Sequence, residues 1–143
     1  MTVTYFDSSA ILKRSLREAE SDALADFLEG APEGEAWVTS ALGVVECHRA
    51  LRRALPEAEV AEAADNALGD LVVIAITADV VRRASEVGDP TLRSLDAIHL
   101  ATAEAAGATT VVTYDDRMGA AARGTGLAVV APGPTTTRSA AKR

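Results

Sequence analysis

Short apolar runs alternate along this chain with segments in which apolar residues recur at helical spacing. The short runs predict buried strands, at Val3–Phe6, Trp37–Val38, Thr110–Thr113 and Leu127–Val130. The segments between them begin or end at capping and stop residues and predict helices, at Ser8 or Ser9 to Leu12, Ser21–Glu29, Thr39 or Ser40 to Leu55, Glu57–Leu68, Thr77–Gly88, Leu92–Ala106 and a short helix from Asp115. The run Leu71–Ile76 fits either a strand or the end of a helix.

Strands that alternate with helices predict an α/β domain with a mostly parallel central sheet that is covered by helices on both faces. In sheets of this kind the functional crevice lies beyond the carboxyl ends of the strands. Asp7 and Asp115 each follow a predicted strand. The topology therefore favours a site that brings these two side chains together.

Length and composition indicate one folded domain. The 143 residues are 48% hydrophobic and 24% charged, which argues against disorder in the body of the chain. We expect the domain to span residues 1–131 and the tail, residues 132–143, to be disordered.

Cysteine content and hydropathy indicate the compartment. The single cysteine, Cys47, excludes an internal disulfide framework and a cysteine-based zinc site, and we expect it to be a small core residue. No apolar run reaches membrane-spanning length, and the N-terminus lacks the features of a secretory signal. We therefore expect a protein of the reducing cytoplasm that does not enter the membrane.

Four acidic residues stand where an apolar residue would be usual. Asp7, Glu46, Asp96 and Asp115 each close or interrupt a hydrophobic run. A carboxylate held against apolar neighbours is costly unless it is paired, hydrogen-bonded or bound to a metal. Four such groups in one small domain suggest a single cluster whose charge is compensated.

Each acid also has a purely structural explanation. Asp7, Asp96 and Asp115 could open helices, because a carboxylate satisfies the free N–H groups of a helix N-terminus. Glu46 lies inside a predicted helix, where no cap is needed, and its structural alternative is an ion pair with Arg49 or Arg53.

Charge repulsion favours a metal for the four acids taken together. Two carboxylates about 5 Å apart repel by roughly 3 kcal/mol at an effective dielectric constant of about 20. Oxygen ligands without a well-placed pair of histidines favour Mg²⁺ or Mn²⁺ over zinc. The chemistry that suits such ions is phosphodiester hydrolysis, in which the metal activates water and stabilises the developing charge.

Four ordered motifs resemble those of PIN-domain ribonucleases, and most closely the VapC toxins of bacterial toxin–antitoxin pairs. They are Asp7-Ser-Ser-Ala, Glu46-Cys-His-Arg-Ala-Leu-Arg-Arg, Leu95-Asp-Ala-Ile-His-Leu-Ala-Thr-Ala and Val112-Thr-Tyr-Asp-Asp-Arg-Met. The resemblance extends from about Val3 to Val130. It implies a PIN-like three-layer α/β/α sandwich and a metal-dependent endoribonuclease that cuts single-stranded or looped RNA.

The resemblance also assigns roles to residues. The metal-binding acids would be Asp7, Glu46, Asp96 and Asp115. Asp116 would either assist Asp115 or lie on the surface. Ser8 or Ser9 would orient Asp7 or contact metal-bound water, and Thr113 would support Asp115, with capping and strand packing as their alternatives.

We expect both histidines to be packed helix residues. His99 follows Asp96 by three residues and could face the site. A histidine at such a position is more often a packed helix residue, and the same holds for His48. We therefore do not expect either to be a metal ligand.

The charge pattern bears on RNA binding. A net charge of -7 argues against simple electrostatic binding to nucleic acid. The basic residues nevertheless cluster, as Lys13, Arg14 and Arg17, as Arg49, Arg52 and Arg53, and as Arg82 and Arg83. Arg49 and Arg53 lie on the Glu46 side of their helix and could meet RNA phosphate. Aromatic residues make up only 3%, so a base-stacking platform is not expected.

The resemblance further implies partners. It predicts a homodimer and a cognate VapB-like antitoxin, with an arginine or lysine of the antitoxin entering the acidic pocket. Apolar positions that could hold an antitoxin segment are Ile11, Leu12, Leu24 and Leu28.

Two other function classes remain open at the level of sequence. One is a metal-dependent phosphatase or phosphotransfer domain, which is disfavoured because no aspartate stands two residues after Asp7. The other is a non-catalytic α/β binding module in which the acids are caps only. Titration with Mn²⁺ separates this module from both enzymes.

Overall fold

A five-stranded sheet forms the centre of the protein, for which a computed structural model describes residues 2–134. Its strands are β1 (Val3–Phe6), β2 (Ala36–Ser40), β3 (Val72–Ile74), β4 (Thr110–Val112) and β5 (Ala128–Val130). They lie in the order β3-β2-β1-β4-β5, and all four neighbouring pairs are parallel. The ambiguous run at Leu71–Ile76 thus contains a strand.

Seven helices occur in the described residues. They are α1 (Ser8–Leu12), α2 (Ser21–Glu29), α3 (Ala41–Ala54), α4 (Glu57–Leu68), α5 (Ala78–Ala84), α6 (Ser94–Ala105) and α7 (Asp116–Gly124). The bounds predicted for α2 and α4 are confirmed. The prediction for α6 began two residues too early, because Arg93 still has an extended backbone and occupies the N-cap.

Alternate residues of the central strands face two separate cores. Phe6 of β1 and Val112 of β4 pack with residues from α1 to α4, whereas Tyr5 and Val111 pack with residues from α6 and α7. Successive side chains of a strand point to opposite faces of a sheet, so both faces of this sheet are covered. The predicted three-layer α/β/α arrangement is confirmed.

The strand order reverses between β1 and β4. From β1 the chain passes outward through β2 to β3, then returns to β4 on the other side of β1 and continues to β5. Ligands of open α/β sheets bind beyond the carboxyl ends of the strands at this kind of reversal. Asp7 and Asp115 follow the two strands that flank it.

Cys47 is fully buried, and burial raises the pKa of its thiol to about 11, as expected of a core residue rather than a nucleophile. Within residues 2–134, no helix is long and apolar enough to cross a membrane. The predicted disordered tail falls outside the described residues from 135 onward. Upstream of that point, the Pro132 carbonyl accepts a 2.6 Å hydrogen bond from the Tyr114 hydroxyl.

Candidate active site

Asp7 is the most buried acid of the site. It is the N-cap of α1, and its Oδ1 accepts hydrogen bonds from the Ala10 N–H at 3.1 Å and the Ser9 hydroxyl at 2.6 Å. Its side chain is 5% exposed, and this burial raises the pKa of Asp7 even though the bonds from Ser9 and Thr113 act against the rise. Of the caps that the sequence allowed, the structure has Asp7 and not Ser8 or Ser9.

Thr113 and Ser9 connect the ends of β1 and β4. The Thr113 hydroxyl donates to Oδ2 of Asp7, and it also accepts the backbone N–H of Asp115 at 3.0 Å. The Ser9 hydroxyl accepts the N–H of Tyr114 at 2.9 Å while it donates to Asp7. Ser9 thus orients Asp7 as predicted. Thr113 contacts Asp115 through the backbone, but its side chain orients Asp7.

Glu46 is held by a histidine rather than by an arginine. Its Oε1 lies 2.6 Å from Nε2 of His99, and the Nδ1 of the same ring lies 2.5 Å from the Tyr5 hydroxyl. Burial alone would raise the pKa of Glu46, but the hydrogen bond and charge of His99, together with a bond from Ser8, lower it. No ion pair from Glu46 to Arg49 or Arg53 occurs among the described residues, so the ion-pair alternative is wrong.

The Tyr5–His99–Glu46 chain fixes the ring of His99 on both sides. His99 is 3% exposed and packs edge-on against Tyr5. Burial is the largest cause of a strongly raised pKa of Tyr5, so its hydroxyl keeps its proton. The lowered pKa keeps the Glu46 carboxylate ionised, so it can only accept, and the Nε2–H of His99 donates to it. His99 is the buried helix residue that was expected, and it also positions a site acid.

Asp96 and Asp115 complete the acidic group. Asp96 lies in the first turn of α6, and Asp115 is the N-cap of α7, where it accepts the N–H groups of Arg117 and Met118. Burial raises the pKa of Asp96, and the negative charge of Asp115 raises it further. Three of the four acids therefore lie at helix starts, and yet they are close enough to repel one another.

A cavity of about 280 Å³ receives the four acids. It is lined by Asp7, Ser8, Ser9, Glu46, Arg93, Ser94, Leu95, Asp96, His99 and Asp115. The four acids proposed from the sequence are thus brought to one place, with both serines beside them. Asp116 does not line this cavity; it is exposed in the first turn of α7. Arg49 and Arg53 are exposed and do not line it either, so their contact with RNA stays a prediction.

Two residues of the site were missed from the sequence. Tyr5 lies in the predicted strand Val3–Phe6, and nothing in its local sequence indicates that it reaches His99 from 94 positions away. Arg93 lines the cavity and opposes the rise in the pKa of Asp96. Its position three residues before Asp96, at the expected start of a helix, was the only available signal.

The donor set fits a hard divalent cation that keeps much of its water. All four acids offer carboxylate oxygens, the ligands that Mg²⁺ prefers. Within residues 2–134, however, no three side chains of His, Cys, Asp or Glu form a ready ligand cage. Mg²⁺ needs no such cage, because it usually binds through one or two carboxylates and retains several waters. The arrangement of the four acids around the cavity is therefore compatible with that ion.

Comparison with known proteins places the chain in a family. A family profile described as the PIN domain matches residues 4–124. The chain is 47% identical over 133 residues to Ribonuclease VapC35 of Mycobacterium tuberculosis, which covers 90% of this chain and 96% of that protein. It is 43% identical over 135 residues to Ribonuclease VapC46 of the same species, which covers 92% of this chain and 99% of that protein.

Solved structures share the fold. The crystal structure of VapBC2 from Rickettsia felis, bound to a DNA fragment from their promoter, contains a chain that superposes with a TM-score of 0.72. The match covers 90% of this chain and 98% of that one, at 15% sequence identity. At that identity the likeness shows the fold alone, and it agrees with the α/β sandwich described above.

Proposed function

The chain belongs to the PIN-domain family, and from that premise we propose that it is a metal-dependent endoribonuclease toxin of the VapC type. The observation that carries the proposal is the convergence of Asp7, Glu46, Asp96 and Asp115 on one cavity at the reversal of strand order. The names of the two relatives, both ribonucleases, support RNA as the substrate.

The acids of the cavity would hold the divalent cation. Asp7 is fixed by Ser9 and Thr113, and Glu46 by His99, so the oxygens of both side chains are oriented before an ion arrives. Such preorganisation lowers the cost of rearrangement during the reaction. Asp96 and Asp115 add negative charge that attracts the ion. We propose Mg²⁺ or Mn²⁺ because every acid offers only oxygen.

When bound, the cation would supply charge stabilisation at the phosphate and a more acidic water. The protein's own residues would bind and orient the RNA strand. Arg93 is the one arginine that lines the cavity of the acids within the described chain, and its planar guanidinium suits a phosphate oxygen. Leu95 lies on the same cavity with 51% of its surface exposed, where an apolar contact with a base or sugar would limit access of bulk water.

The other function classes are less well supported. A phosphatase would need a proton donor next to its nucleophile, and the hydroxyls closest to Asp7 belong to Ser9 and Thr113, which are poor general acids. A binding module with caps only would not need the His99 contact to Glu46, because Glu46 caps no helix.

Partners follow from the family. We propose a VapB-like antitoxin as inhibitor and a cytoplasmic site of action. A groove of about 500 Å³ at α2 and the end of α4 could hold an antitoxin segment, since the half-buried Leu28 and Trp37 line it. Of the four apolar positions proposed from the sequence, only Leu28 is accessible in this groove, because Ile11 and Leu24 are buried in the core and Leu12 does not line the groove.

A homodimer would cover exposed apolar side chains. Val72 and Val73 of the edge strand β3 are 55% and 48% exposed, and Val81 of α5 is 52% exposed. Exposed apolar residues on an edge strand are a common site of association. We propose that a second copy of the chain covers them, and a solution mass equal to one chain would contradict this.

The decisive experiment compares the wild type with Asp7→Asn. The asparagine keeps the size of the side chain and can still bond to Ser9, Thr113 and the Ala10 N–H, so the fold should be kept. Cleavage of a mixed single-stranded RNA in Mg²⁺ or Mn²⁺ should fall by at least about 100-fold, because a charged ligand of the cation is lost.

Thermal melting of the same two proteins provides a second measurement. Adding Mn²⁺ after chelation should raise the melting temperature of the wild type by linkage, and should raise that of Asp7→Asn much less. Near-normal cleavage by Asp7→Asn, or equal melting with chelator and with excess Mn²⁺ in the wild type, would overturn the assignment of the site.

A further inference from the structure

A second cavity adjoins that of the acids. It has a volume of about 900 Å³ and lies between the loop before α6 and the outer side of α7. Arg93 and Asp96 line both cavities, so the two share a boundary. A strand whose phosphate lies at the acids would therefore have room for a neighbouring nucleotide on this side.

The lining of this second cavity suits a nucleotide. Leu92, Ala120 and Ala121 provide apolar surface, and Arg117 faces it together with Arg93. A volume of this order is typical of sites for small ligands. Leu92 and Ala121 are half-buried and Ala120 is exposed, so the apolar surface is open to an entering base.

The two arginines are available for a ligand. Most ion pairs of this acidic chain neutralise arginines elsewhere, as in Arg14–Asp70, Arg17–Asp22, Arg52–Glu57, Arg82–Asp79 and Arg83–Glu104. Neither Arg93 nor Arg117 makes an ion pair with any residue between 2 and 134, and both are exposed. Guanidinium groups that line a cavity next to the acids and form no ion pair can attract the flanking phosphates.

The acids of the second cavity form no ion pair with Arg117 or Arg93 in the described chain. Asp96 belongs to the shared boundary with the catalytic cavity, where the charge of Arg93 opposes the rise in its pKa. Asp89 also lines the second cavity, and its Oδ1 accepts the Thr91 N–H at 2.7 Å and the Thr91 hydroxyl at 2.6 Å. These bonds hold the Asp89 carboxylate on its own loop, so the guanidinium of Arg117 stays available to a phosphate.

We propose that this cavity binds the nucleotide next to the cleaved phosphodiester, with Arg117 and Arg93 on its phosphates and Leu92, Ala120 and Ala121 against its base. The inference rests on the proposed ribonuclease function. It identifies the part of the RNA that this surface recognises and makes the cavity a determinant of the cleavage sequence. Without an aromatic side chain in its lining, the cavity would select by shape and not by stacking.

The test uses variants that do not alter the catalytic acids. Arg117→Gln removes one phosphate contact, Arg117→Lys keeps the charge, and Ala120→Trp fills the cavity without a change in charge. Arg17→Gln is the matched control, because Arg17 is exposed, pairs with Asp22 and lies outside both cavities. A fluorescein-labelled, randomised 12-nucleotide single-stranded RNA is the probe, and each change is made in the wild type for cleavage and in Asp7→Asn for binding.

The expected results differ between the variants. Arg117→Gln should weaken binding about tenfold, since a charge-assisted contact is lost. It should also lower the slope of log affinity against log salt by about 0.7, the change expected for one phosphate contact to a single strand. Arg117→Lys should restore the slope. Ala120→Trp should raise KM about tenfold at an unchanged slope, and Arg17→Gln should change neither quantity.

The outcomes separate this inference from the function on which it rests. If the wild type cleaves RNA but Arg117→Gln and Ala120→Trp both behave like Arg17→Gln, the nucleotide site is wrong and the ribonuclease assignment stands. If the wild type neither binds nor cleaves the probe, the ribonuclease assignment fails. Should the two variants lose antitoxin binding while they keep RNA binding, the cavity is a protein interface and the inference is overturned.

Gly124→Phe, whose side chain would point into open space at the same cavity, replaces Ala120→Trp if that variant does not fold.

Discussion

At the scale of single residues, the site depends on how each carboxylate is held. Asp7 receives three hydrogen bonds, from Ser9, Ala10 and Thr113, although it is almost fully buried. Glu46 receives its bond from His99, a residue that is far away in sequence. These contacts fix the orientation of the acids, and Asp7 keeps a raised pKa because burial outweighs them.

The contact from His99 to Glu46 leads to a prediction about positioning. His99→Leu removes the donor to Glu46, and we expect the affinity for Mn²⁺ and the rate of cleavage to fall about 10- to 100-fold, as is usual for residues behind metal ligands. His99→Gln should restore most of both, because its amide N–H can take the place of Nε2. Titration calorimetry with Mn²⁺ measures the first quantity and a single-turnover assay the second.

Tyr5→Phe serves as the matched variant. It leaves the ring of His99 in place but removes the hydroxyl at Nδ1, so a smaller loss in the same direction is expected. Equal Mn²⁺ affinity in wild type, His99→Leu and Tyr5→Phe would show that the Tyr5–His99–Glu46 chain has only a packing role.

At the scale of secondary-structure elements, close contacts between helices and strand ends position these residues. Gly43 in α3 lies one turn before Glu46 and is buried against the end of β2. A Cβ at Gly43 would lie 2.5 Å from the Thr39 Oγ1 and 3.6 Å from His99 Cε1. The Thr39 hydroxyl cannot easily move, since it is buried and donates to the Phe6 carbonyl at 2.7 Å.

Gly43→Ala should therefore lower the free energy of unfolding by about 1–3 kcal/mol, as overpacking of a buried contact usually does. Cleavage should fall too, because α3 carries Glu46 and would have to shift. Chemical denaturation and an RNA cleavage assay measure the two effects.

Gly124→Ala is the control for this prediction. A Cβ at Gly124 meets no atom within 4 Å, so its stability should be unchanged or raised by up to about 1 kcal/mol. If Gly43→Ala is as stable as Gly124→Ala, the close approach of α3 to Thr39 does not limit the residue at position 43.

At the scale of the whole molecule, the proposed antitoxin groove is separate from the two cavities. The chain carries a net charge of -7, and four of its acids face one small cavity. Arg93 and Asp96 also line the cavity next to it, together with Arg117. The groove at Leu24 and Leu28 shares no lining residue with either cavity. Substrate and inhibitor can therefore contact different surfaces, although an extended antitoxin segment could reach both.

This separation predicts how an antitoxin acts. The product of a neighbouring reading frame, co-expressed with this chain, should co-purify with it and suppress RNA cleavage. Leu28→Glu should weaken that complex by at least tenfold, because a carboxylate would replace the apolar surface that Leu28 offers to the antitoxin, while cleavage by this chain alone should be unchanged. Replacing the arginine or lysine that we expect the antitoxin to place in the acidic cavity should reduce suppression more than binding.

Ala105→Glu, an exposed change on α6 outside the groove, is the control for the added charge. The prediction is contradicted if the neighbouring protein neither binds nor inhibits, or if Leu28→Glu and Ala105→Glu bind it equally well.

The sequence by itself determined most of the elements and the identity of the four acids. Short apolar runs and capping residues are local signals, so the bounds of β1, α2 and α4 were predicted correctly. The acids stood out because they interrupt apolar runs, which is also visible locally. The alternation of strand and helix was enough to predict a parallel sheet covered on both faces.

Only the tertiary structure decided which partner each acid has. The bond from His99 to Glu46 and the one from Thr113 to Asp7 join residues 53 and 106 positions apart. Sequence reasoning had proposed Arg49 or Arg53 for the first, because neighbours on the same helix are the only partners that spacing can indicate. Partners across the sheet depend on strand order, and the reversal between β1 and β4 becomes visible only when the chain is folded.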